Sequence, residues 1–244
     1  MSTETKGLDL NIEGTLYLEL AARFAMEPAE RMIAYEGRIV LDADDEAYRV
    51  GWVKYHVVRV FDMLSAGSNP LLELDGESGD TADYCEFFNE ELDGWSKDVL
   101  EIWPDAEFGD MVILDRLVVC PPFRGAEIGL LCLGTLTRLI GGARLFVMRP
   151  MPLQYVAAYA KDSDVARGKG RKAADVRKLT AYYARAGFRE MPGTGRMALD
   201  PTIIGPMDKR GDSWADVTLK RTAAMDEYRL QQSDPRPERT EKLA

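Results

Sequence analysis

The stretch at residues 118–140, VVCPPFRGAEIGLLCLGTLTRLI, runs from an apolar segment through two prolines and an Arg-Gly pair into a helix-like pattern. From Ile128 onward its apolar residues recur at spacings of three and four, which predicts a helix with one apolar face. The two prolines cannot continue a central strand, and the glycine pair after Ile140 ends the helix. The stretch therefore predicts a strand, a tight loop and a helix in direct succession.

The loop between this strand and this helix has the features of an anion site. A helix that begins near residues 126–128 has backbone amides without intrahelical acceptors, and its macrodipole makes that end positive. Gly125 allows an anion to approach the backbone, and Arg124 adds a permanent positive charge. Glu127 places a negative charge in the same loop, and we expect its side chain to point to solvent. An ordinary strand-to-helix turn is the alternative interpretation.

The flanking segments complete a strand-helix-strand unit. Residues 109–120, GDMVILDRLVVC, predict a buried strand, and ARLFVMRP at 143–150 predicts the next strand. Two strands joined by a crossover helix are expected to pair in parallel within one sheet. A second helix is predicted over 173–188, AADVRKLTAYYARAGF, with Gly187 as its C-terminal cap. The segment FREMPGTGRMALD after it predicts a hairpin.

The two ends of the chain give weaker patterns. Residues 31–64 predict two strands joined by a turn in DADDE, whereas TLYLELAARFAM at 15–26 fits either a strand or a short helix. A helix is predicted over 78–95, SGDTADYCEFFNEELDGW. The motif SWAD resembles a capping box and predicts a last helix over about residues 213–232, followed by a polar tail that we expect to be disordered.

The composition bounds the class of protein. A chain of 244 residues with 46% hydrophobic residues is expected to form one domain with a substantial core. No apolar run is long enough for a membrane helix, and the N-terminal residues lack a signal-peptide pattern. Three scattered cysteines and one histidine give no metal-ligand pattern, so we expect no metal. A cytoplasmic, thiol-reduced location is the expectation.

The negative charge is concentrated in one segment. The net charge is −10, which argues against general nucleic-acid binding, and membrane binding is likewise not expected. The acidic segment, residues 62–110, contains fifteen Asp and Glu but only one basic residue, Lys97. The segment either attracts a cationic substrate or is a solvated surface.

Two motifs together resemble the GNAT N-acetyltransferase superfamily. VCPPFRGAEIGLLCL resembles its coenzyme A signature, in which a strand ending in V-x-P leads to R-x-x-G-x-G/A at the start of a helix. Arg124 and Gly129 match the outer loop positions, and Glu127 replaces the middle glycine. LTAYYARAGF resembles the second signature, F/Y-Y-x-x-x-G-F, through Tyr183 and the Gly-Phe pair that follows.

The resemblance implies a fold and an activity. The fold is an α/β, mixed-sheet, acyl-CoA N-acyltransferase fold with a splayed parallel strand pair and flanking helices. One such domain would span 1–205, with the signatures in 109–200 and an acidic insertion at about 62–108, while 206–244 would form a C-terminal helix and tail. The implied activity is direct transfer of an acetyl group from acetyl-CoA, the co-substrate, to the primary amine of a cationic small molecule or protein.

The resemblance also implies roles for particular residues. The strand end would pair through its backbone with the acyl carbonyl and the pantetheine amides, at Leu117, Val118 and Val119. The loop amides would hold the pyrophosphate of coenzyme A, at Arg124, Gly125, Ala126, Glu127, Ile128 and Gly129. Tyr183 would lie near the thioester sulfur and protonate the leaving thiolate, although a position in the core is its alternative. The basic run from 167 to 178 could meet the 3′-phosphate, or be an exposed loop.

A general base is needed because an amine acceptor must lose a proton when it attacks a thioester. The candidates on or just before the signature strand are Asp115, Asp110 and Glu107. Asp115 is preferred, and strand alternation predicts that it shares a face with Ile113 and Leu117. An ion pair with Arg116 or Arg144 is the alternative. The cysteines lack a neighbouring histidine in sequence, so a covalent enzyme intermediate is not expected.

Three features depart from the superfamily pattern: Glu127 in the loop, a long link before the second helix, and no helix pair after the first strand. They keep a second hypothesis open. In it the chain is a non-catalytic protein-interaction module whose cofactor loop has degenerated and whose acidic segment docks a partner. An acyltransferase that uses another acyl donor is a third hypothesis, and a homodimer is possible with any of them.

Overall fold

The computed structural model describes residues 11–23, 31–77, 79–140, 142–152, 155, 168–202, 216–220 and 223–230. These residues form an α/β fold with eight strands in one mixed, open sheet. In chain order the strands are β1 Asn11–Arg23, β2 Met32–Ala43, β3 Glu46–Val58, β4 Met111–Val119, β5 Leu145–Met148, β6 Arg189–Glu190, β7 Met197–Leu199 and β8 Asp216–Lys220.

The helices of the described residues lie between β3 and β4 and on either side of β5. They are α1 Val60–Ser65, α2 Pro70–Glu77, α3 Gly79–Ala82, α4 Lys97–Ile102, α5 Ile128–Leu139 and α6 Gly168–Ala184. Short 3-10 helices cover Asp83–Phe87, Pro121–Phe123 and Ala223–Tyr228. The first four helices belong to the acidic segment, so this segment is an excursion between two adjacent strands.

The strand order is β6-β7-β5-β4-β3-β2-β1-β8, and β4–β5 is the parallel pair. This confirms the strand-helix-strand unit predicted around residues 118–140. The β2–β3 hairpin is also confirmed, with Asp44 and Asp45 at φ 53° and 62° in its turn. Aspartate tolerates this left-handed conformation better than most residues, which suits a tight two-residue hairpin turn. The segment at 15–26, which fitted either a strand or a helix, falls mostly within β1.

The two faces of the sheet support separate hydrophobic cores. On one face α5 and α6 pack over the central strands, and residues such as Leu133 and Phe188 are almost fully buried. On the other face the acidic segment covers the sheet through aromatic residues such as Trp95 and Trp103. Each large apolar side chain buried in this way contributes roughly 1.5–3 kcal/mol to stability. The acidic segment therefore has a large apolar interior beneath its charged exterior.

Arginines from outside the acidic segment pair with several of its carboxylates. Arg196, next to β7, contacts Asp83 at 2.8 Å and also pairs with Glu86. Only 9% of the Arg196 side chain is exposed, and its guanidinium lies 5.4 Å from the centre of the Tyr84 ring. Other pairs are Arg31–Glu73, Arg59–Asp110 and Arg144–Glu107, at 2.9, 3.1 and 2.8 Å. These contacts attach the segment to the sheet.

The predicted C-terminal helix over 213–232 is wrong at residues 216–220. These residues form β8, which pairs antiparallel with β1 from Asn11 to Thr15. Leu219 is buried, with 5% exposure, against the same core as α5. The edge of β1 opposite β2 provides the backbone partners of β8, and no local capping signal reveals them. The start of that predicted helix and the predicted disordered tail lie outside the described residues.

The helix predicted over 78–95 is shorter in the structure. After α3 and a 3-10 helix, the chain turns at Asn89, whose side-chain oxygen accepts hydrogen bonds from the amides of Asp93 and Gly94. Phe88 and Trp95 then form an antiparallel bridge. An Asx-type turn of this kind competes with helix formation. The second helix after the signature strand is longer than predicted, because α6 begins at Gly168 instead of near 173.

Candidate functional site

The parallel strand pair separates halfway along β4. Only residues 111–114 of β4 pair with β5, while the rest of β4 continues beside β3 alone. Opposite β3, Lys54 pairs with Arg116 and Tyr55 pairs with Leu114, so Asp115 is an extra residue on β4. A bulge of this kind bends a strand and increases its twist. The separation and the bulge thus occur at the same point.

The bulge also corrects a prediction about strand faces. Simple alternation placed Asp115 on one face with Ile113 and Leu117. In the structure Ile113 packs into the core under the acidic segment, whereas Leu117 packs against the core under α5. The extra residue shifts the alternation by one. The end of β4 therefore turns its apolar side chains toward α5.

A cavity of about 740 Å³ occupies the gap between β4, β5, α5 and α6. We name it the splay cavity. Its lining from β4, β5 and the loop comprises Leu114, Asp115, Arg116, Leu117, Val118, Val119, Phe123, Arg124, Gly125, Glu127, Ile128, Gly129, Met148, Arg149, Met151 and Pro152. Its lining from α6 and just beyond comprises Asp175, Lys178, Leu179, Tyr182, Tyr183 and Arg185. The volume is in the usual range for small-molecule sites.

The structure brings together most of the predicted site residues. Every cofactor-binding residue predicted from the two motifs lines the splay cavity except Ala126, and both predicted catalytic residues, Asp115 and Tyr183, line it as well. Ala126 lies between Gly125 and Glu127, which both line the cavity. No described residue of the acidic segment lines it. That segment covers the opposite face of the sheet and is not a wall of this cavity.

The loop before α5 adopts two left-handed residues. Gly125 has φ 93° and Glu127 has φ 59° at the N-cap position of α5. An L-residue pays a conformational cost of about 1–2 kcal/mol there, and glycine does not. The side chain of Arg124 turns back along the loop, where its Nε donates to the carbonyl oxygen of Val119 at 2.9 Å. Arg124 therefore supports the loop structurally as well as lending it charge.

The side chain of Glu127 does not point freely to solvent. Its carboxylate pairs with the guanidinium of Arg185, the residue that follows α6. The two side chains are 30% and 48% exposed. The expectation of an outward-facing Glu127 is therefore wrong. Arg185, 58 residues away in sequence, binds the carboxylate beside the cavity.

Two adjacent tyrosines of α6 line the cavity in different ways. Tyr183 is 7% exposed, and its ring meets Tyr182 and Phe188 edge-on at 5.6 and 6.3 Å. Burial raises the pKa of Tyr183 well above its ordinary value, with smaller contributions from Tyr182 and Cys132. The hydroxyl of Tyr182 accepts a hydrogen bond from the amide of Leu130 at 3.1 Å. Tyr183 is thus both a core aromatic and a cavity residue.

Asp115 has two cationic neighbours at the strand bulge. Lys54 Nζ lies 3.5 Å from its carboxylate, and Arg116 Nε lies 3.3 Å from it. The Asp115 side chain is 27% exposed. Asp115 therefore lines the cavity and pairs with Arg116, as the ion-pair interpretation predicts, while its role as a general base stays a prediction.

Sequence reasoning missed several residues of the splay cavity. The positively charged lining residues are Arg116, Arg124, Arg149, Lys178 and Arg185. The negatively charged lining residues are Asp115, Glu127 and Asp175. Among the basic residues of the run whose side chains the structure describes, from 171 to 178, Lys178 alone is a lining residue. Arg185 stands inside the second motif, two residues after Tyr183, and its charge was the available signal. The cavity combines an apolar interior with an excess of positive charge.

The cysteines are poor nucleophiles in this environment. Burial raises the pKa of Cys132 to about 12 and that of Cys120 above its ordinary value. Burial, followed by the charge of Asp75, raises the pKa of Cys85 to about 11. A thiol with such a pKa carries little thiolate near neutral pH. His56 is 3% exposed, as expected for a core histidine.

No family model, curated protein or solved structure matches this chain. The inference about function therefore rests on the two sequence motifs and on the geometry of the splay cavity. Among the described residues, no helix combines the length and the apolarity needed to cross a lipid bilayer.

Proposed function

We propose that this protein is an acyl-coenzyme A-dependent N-acyltransferase with a GNAT-like fold, which transfers an acetyl group from acetyl-CoA to a primary amine. One observation supports this most directly. The separation of β4 from β5 opens a 740 Å³ cavity that is bounded by the first motif at one side and by Tyr183 of the second motif at another. A cytoplasmic location is part of the proposal, in keeping with three free cysteines.

The cavity suits the chemical parts of an acyl-coenzyme A. The end of β4 has no β5 partner beyond Leu114 and lines the cavity, so its backbone edge can pair with amides of pantetheine at Leu117 and Val118, while the Val119 carbonyl already accepts from Arg124. The first turn of α5 and the surrounding cations favour the pyrophosphate. Apolar side chains such as Leu117 and Met148 provide contacts for the acyl chain. A mainly apolar cavity with a few convergent polar groups is the common form of such sites.

The reaction would proceed by direct transfer. The amine nitrogen attacks the thioester carbonyl carbon, the C–S bond breaks as the C–N bond forms, and coenzyme A leaves as thiolate. The nitrogen loses one proton and the sulfur gains one, so no external acid or base is consumed. Asp115 is the proposed acceptor of the amine proton. The buried, protonated cysteines are consistent with a route that lacks an acyl-enzyme intermediate.

The raised pKa of Tyr183 refines the role proposed for it. A buried phenol stays protonated and can donate a hydrogen bond to the developing thiolate. Full proton transfer is uphill because a thiol has an ordinary pKa of about 8.5, far below that of this tyrosine. We therefore assign Tyr183 the stabilisation of thiolate charge, while the proton released by the amine supplies the thiol.

Binding and turnover of acetyl-CoA test the proposal. Isothermal titration of the purified protein should show saturable binding, and an assay for released thiol should show amine-dependent turnover. Leu117→Trp adds bulk inside the cavity and should abolish both. Leu139→Trp, at a 60% exposed site near the end of α5 and outside the lining, should change neither. Absence of binding at millimolar acetyl-CoA would refute the enzymatic proposal.

A second candidate function is favoured by the loop itself. Arg185 is paired with Glu127, and Arg124 is hydrogen-bonded to the carbonyl of Val119. Two cationic side chains that could bind an anion therefore already have partners. In a non-catalytic interaction module these contacts would be permanent. A Glu127→Gly variant discriminates, since strong coenzyme A binding by the variant alone would indicate a degenerate site. Titration with other acyl thioesters separates acetyl transfer from transfer of another acyl group.

A further inference from the structure

The ion pair between Glu127 and Arg185 joins the two helices that border the splay cavity. Glu127 is the N-cap residue of α5, and Arg185 follows the last residue of α6. Both side chains line the cavity and both are partly exposed. An incoming ligand can therefore reach the pair without disturbing the hydrophobic core.

The position of the pair is electrostatically specific. The Glu127 carboxylate lies at the positive end of the α5 macrodipole, where an anion is stabilised. The guanidinium of Arg185 has five N–H donors in a fixed fork, and one terminal nitrogen contacts the carboxylate. The Glu127 carboxylate thus occupies Arg185, a cation that an anionic ligand of this loop would use, while it makes no capping hydrogen bond to the first amides of α5.

The pyrophosphate of coenzyme A is a stronger partner for this arginine than one carboxylate. Its two phosphate groups together present more acceptor oxygens and more negative charge, and like a carboxylate they accept bidentate hydrogen bonds from guanidinium. Arg124 cannot substitute fully, because its Nε is bonded to the Val119 carbonyl. Arg185 is held by another side chain, which can rotate away, and not by the backbone.

We propose that Arg185 binds a phosphate of the acyl donor and that Glu127 is an internal anion that holds Arg185 until the phosphate replaces it. The inference rests on the proposed function, because it assigns a residue to the pyrophosphate of its donor. It gives Glu127 a function that the motif alone does not. The carboxylate lowers the affinity for every donor with a phosphate at the loop and leaves donors without one unaffected.

Isothermal titration with two thioesters tests the proposal, using acetyl-CoA and S-acetylpantetheine, which lacks the pyrophosphate. Arg185→Gln should weaken acetyl-CoA binding about tenfold or more, the scale of a lost hydrogen bond to a charged group. Glu127→Gln should strengthen acetyl-CoA binding severalfold. Neither variant should change the affinity for S-acetylpantetheine. Arg138→Gln is the matched control, since it removes one exposed positive charge in the last turn of α5, outside the cavity lining.

The double variant Glu127→Gln/Arg185→Gln adds a second criterion. If the two residues act through their contact, Glu127→Gln should no longer strengthen binding when Arg185 is absent. Circular dichroism melts check that each variant folds. Unchanged acetyl-CoA affinity in Arg185→Gln, or an equal loss in Arg138→Gln, overturns this inference and leaves the proposed function standing. Failure of the parent and of Glu127→Gln to bind either thioester refutes the proposed function, and this inference with it.

Discussion

At the residue scale, Glu127 shows that a glycine preference can have two separate causes. The loop turns through a left-handed residue at this position, with φ 59°, so glycine would be favoured by backbone conformation alone. Glycine would also leave room for an anion beside the backbone. Glu127 adopts the turn despite its side chain, and the ion pair with Arg185 offsets part of the conformational cost. The presence of glutamate in place of the motif's glycine therefore changes the charge of the loop more than it changes the backbone conformation.

Tyr183→Phe should lower kcat by about a hundredfold, at the lower end of the range for loss of one hydrogen-bond donor to a developing negative charge. The KM for acetyl-CoA should stay within twofold, roughly, because the packing of the ring is kept. Because burial raises the pKa of Tyr183, its hydroxyl stays protonated as the pH rises. The parent rate should therefore not fall between about pH 7 and 9, a range below the ordinary pKa of tyrosine.

The pH-rate profile and steady-state kinetics check this expectation. Tyr182→Phe is the matched control, since it removes the hydrogen bond to Leu130 at the start of α5 and should act mainly on KM. An unchanged kcat in Tyr183→Phe would remove the role assigned to this hydroxyl.

At the element scale, local patterns were sufficient wherever one element could be recognised alone. The apolar run of β4 and the helical period of α5 identify both elements, and the connection between the strands implies their parallel pairing. Residues 216–220 were predicted as helix and form a strand. Five residues show too little alternation of apolar and polar side chains to outweigh a capping motif. Their strand conformation depends on the free edge of β1, some 200 residues away.

The candidate site was predictable only where a motif specifies it. The loop and Tyr183 line one cavity, because both motifs lie on elements that flank the strand-helix-strand unit. The bulge at Asp115 could not be predicted, because it exists only in the register between β3 and β4. The contact of Glu127 with Arg185 likewise depends on how α5 and α6 pack, which neither segment encodes alone.

Arg196→Met should destabilise the protein by about 1–3 kcal/mol, because it leaves Asp83 and Glu86 without their shared partner. Arg144→Met is the control. It breaks the Arg144–Glu107 pair, whose side chains are 38% and 70% exposed, and should cost less than about 1 kcal/mol. Urea unfolding monitored by tryptophan fluorescence measures both. Equal losses of unfolding free energy in the two variants would show that the burial of Arg196 does not determine its contribution to stability.

At the scale of the whole molecule, the sheet separates the splay cavity on one face from the acidic segment on the other. The face covered by α5 and α6 opens into the splay cavity, while the acidic segment covers the other face and is anchored there by arginines. β8 extends the sheet beyond β1, so the C-terminal part of the chain joins the same sheet as the motifs. The acidic segment can therefore change its outer surface without altering the lining of the cavity.

A chain truncated after residue 205 should melt at a lower temperature and associate in solution. The truncation removes β8 and buried Met225, and it leaves the backbone of β1 as an unpaired edge that can pair with other chains. Truncation after residue 230 removes none of the contacts described here and is the control. Thermal denaturation and size-exclusion chromatography compare the two. A melting temperature of the 205-residue chain equal to that of the control would contradict a stabilising role for β8.

The extra residue at Asp115 has an evolutionary consequence. A strand of one residue fewer would pair with β3 in regular register and would lose the bend that the bulge introduces where β4 leaves β5. The cleft thus depends on the length of one strand more than on the identity of any side chain in it. Such a site can arise or vanish through a single insertion or deletion. Substitution scanning, which keeps the length of the chain constant, would not identify that event as the origin of the cavity.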